Sequence, residues 1–194
     1  MAQALRQFGR STFSSLRIHN YRLYFIGQVI SNSGTWMQSI AQGWLVLELT
    51  SSGTTLGLVT ALQSLPVLLL GPFGGVLADR FPKRRLLIIT QSALGILALT
   101  MGALVATGVV RLWMVAALAF AFGLVNAVDN PTRQSFVVEM VGEGELKNAV
   151  TLFSTLISMS RIIGPAIAGI LITTVGLAPC FILNGLSYGA VIAM

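Results

Sequence analysis

Charged residues are scarce in this sequence. Asp, Glu, Lys and Arg make up only 9% of the 194 residues, whereas a soluble domain carries about 25%. The single cysteine, Cys180, excludes an internal disulfide framework and a cysteine-rich metal site. No phosphate-binding glycine loop of the Lys-Ser/Thr type is present, which argues against the membrane part of an ATP-driven pump. We therefore expect a membrane protein that is not an enzyme and that holds no metal and no cofactor.

Long apolar runs account for most of the chain, which is 55% hydrophobic. A helix needs roughly 20 apolar residues to cross a bilayer. Six runs predict an all-α membrane protein, with a basic N-terminal tail at residues 1–20 and a six-transmembrane-helix bundle at residues 21–194. The sixth run is shorter than a usual span, so we expect a truncated helix in a fragment of a longer chain. The predicted spans are residues 21–47, 56–78, 86–106, 112–128, 149–175 and 179–194.

The positions of Lys and Arg predict the orientation of the bundle. Loops that carry an excess of these residues lie in the cytoplasm, so the N-terminus is expected there. The charges lie in short loops and form no broad basic face, which argues against binding to nucleic acid. Only Arg111 lies on the opposite side. The residues on the predicted cytoplasmic side are Arg6, Arg10, Arg17, Arg22, Arg80, Lys83, Arg84, Arg85, Arg133 and Lys147.

A Gly-Pro pair recurs in two predicted spans. Gly71-Pro72 lies in the second span and Gly164-Pro165 in the fifth, and each pair is followed by small and aliphatic residues. This pattern fits three helices repeated in the opposite orientation, as in many secondary transporters. Because Gly and Pro are common in membrane helices, chance recurrence is the alternative.

Polar residues form a stripe along the first predicted span. They recur every three or four residues, which places them on one face of a helix. An amide in contact with lipid loses its hydrogen bonds to water, so the stripe faces either a wet cavity or neighbouring helices. We expect a substrate cavity that includes Asn32, Gln38 and Gln42, with Trp36 at its border. The stripe consists of Gln28, Ser31, Asn32, Thr35, Gln38, Ser39 and Gln42.

The fifth predicted span carries a charge and a bend signal. Arg161 lies about halfway along the span, where a cation is costly and is a functional candidate. We count it among the expected cavity residues, where it attracts an anionic group of a substrate or a transport-linked carboxylate. The alternative is that it clamps a carbonyl or acid of another helix. Gly164 and Gly169 allow close approach of a neighbouring backbone, and Pro165 favours a bend.

A short loop between the second and third spans combines acid and base. Asp79 is not needed to set topology, so we expect it to serve a gate together with the neighbouring cations. Asp129 is predicted at the inner end of the fourth span, where it is a natural partner for Arg80 or Arg84. Such a latch holds one conformation and breaks when the transporter changes state.

The same loop resembles the signature of the major facilitator superfamily. The match rests on Gly75, Asp79, Arg80, Lys83 and Arg84. The Gly164-Pro165 element with Gly169 is similar to the fifth-helix motif of antiporters. Residues 20–25 (NYRLYF), 34–38 (GTWMQ) and 129–134 (DNPTRQ) are similar to the enterobactin-exporter-like branch, which includes drug and siderophore exporters.

The resemblance implies an architecture and an activity. The chain would be the N-terminal half of a twelve-helix fold, with the C-terminal six-helix half absent from this chain. The implied function is export of small amphipathic molecules from a bacterial cell across its plasma membrane, by alternating access and proton antiport. Asp79, Arg80, Arg84, Asp129 and Arg133 would form the cytoplasmic gate. The alternative is a truncated half that does not transport or that needs a partner to assemble.

Overall fold

A computed structural model of the chain describes Ser15 and residues 18–192. The predicted tail charges Arg6, Arg10 and Arg17 lie outside the described residues. Within those residues, all regular secondary structure is helical, as the sequence predicts. The helices are α1 (His19–Thr50), α2 (Gly53–Arg80), α3 (Lys83–Ala106), α4 (Leu112–Gly142), α5 (Glu145–Thr174) and α6 (Ala178–Ile192).

Four helices, α2 to α5, are long and apolar enough to cross a membrane. The 15-residue α6 is also apolar. The 32-residue α1 has sufficient length, but it is the least hydrophobic helix of the bundle because it carries the polar stripe. Length and polarity therefore single out α1 as a helix whose side chains need partners other than lipid.

Short turns connect the helices. Ser52 caps α2, because its hydroxyl accepts a hydrogen bond from the Thr55 N–H at 3.3 Å. Pro82 separates α2 from α3. Gly142, with a φ of 70°, interrupts the helical run from Leu112 to Thr174 and divides α4 from α5. Glycine adopts this backbone conformation without the steric cost that a Cβ imposes.

The fourth helix corrects one sequence-based boundary. We expected the fourth span to end at Val128 and Arg133 to lie in the following loop, together with Lys147. In the structure α4 continues to Gly142, so Arg133 lies inside α4 and Lys147 lies in α5. The polar segment at residues 129–134 remains helical because its charged side chains find partners within the bundle.

The helices pair in a symmetric pattern. Helix α2 packs on α4 and α1 packs on α5, while α6 contacts α1 and α3 contacts α4. Helices α3 and α6 cross each other at Gly95 and Gly185. Exchanging helices α1–α3 with α4–α6 converts each of these pairings into another of the set. This is the relation that a three-plus-three repeat predicts.

Glycines permit the closest helix contacts. A Cβ built on Gly74 of α2 would meet the carbonyl oxygen of Ala127 at 2.0 Å. A Cβ on Gly123 of α4 would meet the carbonyl oxygen of Gln63 at the same distance. The backbones of α2 and α4 are therefore in direct contact at two levels, as small residues allow in membrane bundles.

Candidate functional site

A buried ion pair lies within α4. Asp129 is fully buried and Arg133, one turn later, is nearly so. Arg133 donates to Oδ2 of Asp129 through Nη2 and, at 3.1 Å, through Nε. The other carboxylate oxygen accepts hydrogen bonds from Thr90 Oγ1 at 2.6 Å and Gln91 Nε2 at 2.8 Å. Each oxygen of Asp129 therefore has two donors, and α3 supplies half of them.

Gln28 of α1 completes the arrangement. Its Oε1 accepts a hydrogen bond from Arg133 Nη1 and another from Asn32 Nδ2 at 3.0 Å. We call Gln28, Thr90, Gln91, Asp129 and Arg133 the Asp129 cluster. It joins α1, α3 and α4. Burying two charges is tolerated here because they are paired and hydrogen-bonded.

The predicted partner of Asp129 was wrong. We expected Arg80 or Arg84, but both side chains are exposed, and Arg133 forms the ion pair. The physical reason is that α4 extends about three and a half turns beyond Asp129. This extension places the carboxylate inside the bundle instead of beside the loop between α2 and α3.

The loop between α2 and α3 is exposed and only partly paired. Asp79 and Arg80 end α2 on the surface, and Lys83 forms a 3.3 Å salt bridge with Glu139 of α4. Among the residues that the structure describes, none lies within 4 Å of a Cβ built on Gly75. The close contact with α4 is made by the neighbouring Gly74, which the sequence motif did not single out.

Most residues of the polar stripe of α1 form hydrogen bonds to other helices. Gln38 Oε1 accepts from Asn184 Nδ2 of α6 at 2.7 Å. Gln42 Nε2 donates to Gln63 Oε1 of α2 at 2.8 Å. Packing against neighbouring helices therefore explains why these two amides lie in the membrane. This is the alternative to a wet cavity that the sequence left open.

A cavity of about 180 Å³ nevertheless borders the stripe. Of the five residues predicted for a substrate cavity, Trp36, Gln38 and Gln42 line it. Asn32 hydrogen-bonds to Gln28, and Arg161 is not among the lining residues. Ser39 of the stripe adds a hydroxyl group and is exposed. We call this space the α1 cavity; its lining residues are Thr35, Trp36, Gln38, Ser39, Gln42, Gln63 and Phe122.

Arg161 lies against the same tryptophan. Its guanidinium carbon is 5.1 Å from the ring centroid of Trp36, and the residue is exposed. One turn later, a Cβ on Gly164 would meet Trp36 Cβ at 2.6 Å, so α5 touches α1 here. A Cβ on Gly169 has no neighbour within 4 Å in the described part of the chain. Of the predicted fifth-helix glycines, Gly164 alone is in close contact.

Sequence reasoning missed several partners of these residues. Thr90 and Gln91 bind Asp129, Gln63 binds Gln42, and Gly123 contacts α2. A signal was present for the amides, because Gln63 and Gln91 each interrupt an apolar span. Their helical partners depend on how helices distant in sequence pack together, which the pattern of one helix does not reveal.

Comparisons with known proteins place most of the chain in a family. A family model described as transmembrane secretion effector matches residues 10–194. The Staphyloferrin A transporter of Staphylococcus aureus is 27% identical over 168 residues, covering 86% of this chain and 42% of that protein. The multidrug efflux pump Tap of Mycolicibacterium fortuitum is 25% identical, covering 79% and 39%. Macrolide efflux protein A of Streptococcus pyogenes is 26% identical, covering 80% and 39%.

The chain spans about two fifths of the length of these curated relatives. No solved structure matches it.

Proposed function

Because the chain belongs to the transmembrane secretion effector family of the major facilitator superfamily, we propose that it is the N-terminal half of a secondary transporter that exports small amphipathic molecules. The chain is a multi-pass membrane protein. The second six-helix half is the partner that completes the transport path. Export proceeds by alternating access, in exchange for protons.

The observation that carries this proposal is the α1 cavity. Amides, hydroxyls and two aromatic rings meet there. Ligand sites combine apolar walls with a few polar groups in this way. Arg161 adds a charge against Trp36.

The names of the relatives indicate the kind of substrate. Three relatives in different bacteria are named for staphyloferrin A transport, multidrug efflux and macrolide efflux. Their named cargoes are small molecules of different chemistry. We propose that the transporter containing this chain likewise exports small molecules of different chemistry.

The Lys and Arg residues give the proposed orientation. The N-terminal side of the bundle faces the cytoplasm of a bacterial cell, at the plasma membrane.

The gate in this proposal has a rigid part and an exposed part. The Asp129 cluster fixes α1, α3 and α4 to one another, so these helices move as a unit. The exposed part surrounds the loop between α2 and α3, where the side chains of Asp79, Arg80 and Arg84 are exposed and available to the second half. Gly75 and Lys83, which is paired with Glu139, also belong to this part, and the rigid part contributes Asp129 and Arg133.

The test is an accumulation assay with the full-length transporter that contains this chain. Cells expressing it are loaded with a panel of fluorescent dyes, drugs and siderophores, with and without a proton uncoupler. We expect lower accumulation of some compounds than in vector-only cells, and loss of this difference with the uncoupler. Accumulation equal to the vector control across the panel would contradict export. Uncoupler-insensitive export would contradict only proton exchange.

Two tryptophans of α1 provide a matched pair of variants. Trp36 lines the α1 cavity, whereas Trp44 is exposed and donates to Glu48 at 2.8 Å. We expect Trp36→Ala to reduce export at equal amounts of protein in the membrane, and Trp44→Ala to leave it unchanged. Equal effects of the two variants would exclude the α1 cavity from the substrate path.

A further inference from the structure

Arg161 carries a charge for which the described residues supply no counterion. It lies near the middle of α5, at a depth where a cation in contact with lipid is costly. No carboxylate oxygen of the residues described lies within 4.0 Å of its guanidinium. A cation kept at such a position needs a polar or anionic partner.

Trp36 holds the guanidinium in a defined orientation. The 5.1 Å separation from the ring centroid is within the roughly 6 Å range of cation–π contacts. A guanidinium that rests on an aromatic ring keeps its N–H groups free. Those N–H groups form a planar fork that matches the two oxygens of a carboxylate. Arg161 is exposed, so this fork is accessible.

Close backbone packing fixes the position of this pair. A Cβ on Gly164 would meet the Ser33 carbonyl oxygen at 2.7 Å, and Ser33 Oγ donates to Ser160 Oγ at 3.4 Å. Helices α1 and α5 are thus in contact on both sides of Arg161 in the sequence. A preorganised cation binds an anion without the entropic cost of ordering a mobile side chain.

Trp36 also belongs to the α1 cavity. The cavity offers the Phe122 ring for apolar contact and the amides of Gln38 and Gln42 for hydrogen bonds. One molecule that lies against the indole can therefore contact both the cavity and the guanidinium. Such a molecule has an apolar or aromatic body and an anionic group at one end.

We propose that Arg161, held on Trp36, binds a carboxylate of the exported molecule, so that the substrates include carboxylate-bearing amphipathic compounds. This inference rests on the proposed export function and specifies its substrate class. The competing partner is a carboxylate of the second half of the transporter, which would give Arg161 a structural role.

The test compares two probes that differ by one carboxylate, fluorescein and its methyl ester. Uptake is measured in energised inverted membrane vesicles that contain the full-length transporter. For Arg161→Gln we expect the KM for fluorescein to rise about tenfold, equivalent to about 1.4 kcal/mol, with the KM for the ester unchanged. For Arg161→Lys, the KM for fluorescein should lie between those of the parent and Arg161→Gln, because Lys keeps the charge but loses the planar fork.

Arg111→Gln is the matched control, since Arg111 is an exposed cation that caps the N-terminus of α4. It should alter neither KM. An equal loss of both probes in Arg161→Gln would assign Arg161 to a protein carboxylate and overturn the inference, as would an unchanged KM for fluorescein. Transport of the ester alone by the parent would overturn the carboxylate site but not export, whereas transport of neither probe would count against export as well.

Discussion

The substitution Asp129→Asn tests whether the Asp129 cluster is shielded from water. The substitution keeps the size of the side chain but leaves the guanidinium of Arg133, which is nearly buried, without its counterion. Removing one partner of a buried ion pair costs about 3–5 kcal/mol. The new amide also presents two N–H groups to a site filled with donors from Thr90, Gln91 and Arg133. We therefore expect the free energy of unfolding to fall by about 3–5 kcal/mol.

The measurement is reversible unfolding of the full-length transporter in mixed detergent–lipid micelles, followed by tryptophan fluorescence. The salt bridge between Lys83 and Glu139 provides the control, because the Glu139 side chain is 63% exposed. Exposed pairs contribute about 0.2–1 kcal/mol, so Glu139→Gln should lower the free energy of unfolding by no more than that.

A double variant separates charge from packing. Asp129→Asn combined with Arg133→Gln removes both charges, and a pair replaced as a whole is far less destabilising than a pair that is broken. We expect the double variant to be more stable than Asp129→Asn alone. The reasoning is refuted if Asp129→Asn costs no more than Glu139→Gln, or if removing the second charge adds a further loss of similar size.

Three further predictions concern the gate, the helix contact and the cavity. Asp79→Asn in the full-length protein should abolish transport but leave expression intact, because Asp79 is exposed; normal efflux would remove it from the gate. Gly74→Ala should lower the melting temperature, since its Cβ would lie 2.0 Å from a backbone oxygen of α4, whereas Gly75→Ala should leave it nearly unchanged. Equal melting temperatures of the two variants would contradict the contact between α2 and α4. In Gln42→Cys, the new thiol should react with a small polar thiol reagent, whereas buried Cys180 should not, as measured by mass spectrometry. A thiol at position 42 that is unreactive with the gate open and with it closed would indicate packing alone.

The sequence predicted the helices better than their contacts. Hydrophobic runs located the spans because each needs only its own length and composition. The end of the fourth span was missed, since the polar residues from Asp129 to Arg133 resemble a loop when their partners on other helices are unknown. Motif matching selected Gly75, whereas the contact with α4 belongs to Gly74. One residue of register decides which glycine faces a neighbour, and apolar positions all around a lipid-facing helix give no signal for that register.

The contrast between α1 and α2 explains how a polar helix persists in this bundle. The buried residues of α2 are few, namely Val59, Pro66, Gly74 and Ala78, and its remaining apolar surface suits lipid. Helix α1 is the least hydrophobic helix, yet its side chains bond to residues on α2, α4, α5 and α6. Each amide of α1 that finds a partner avoids the cost of an unsatisfied polar group in an apolar medium. The chain therefore retains polarity where other helices surround it, and at the α1 cavity this polarity can bind a solute.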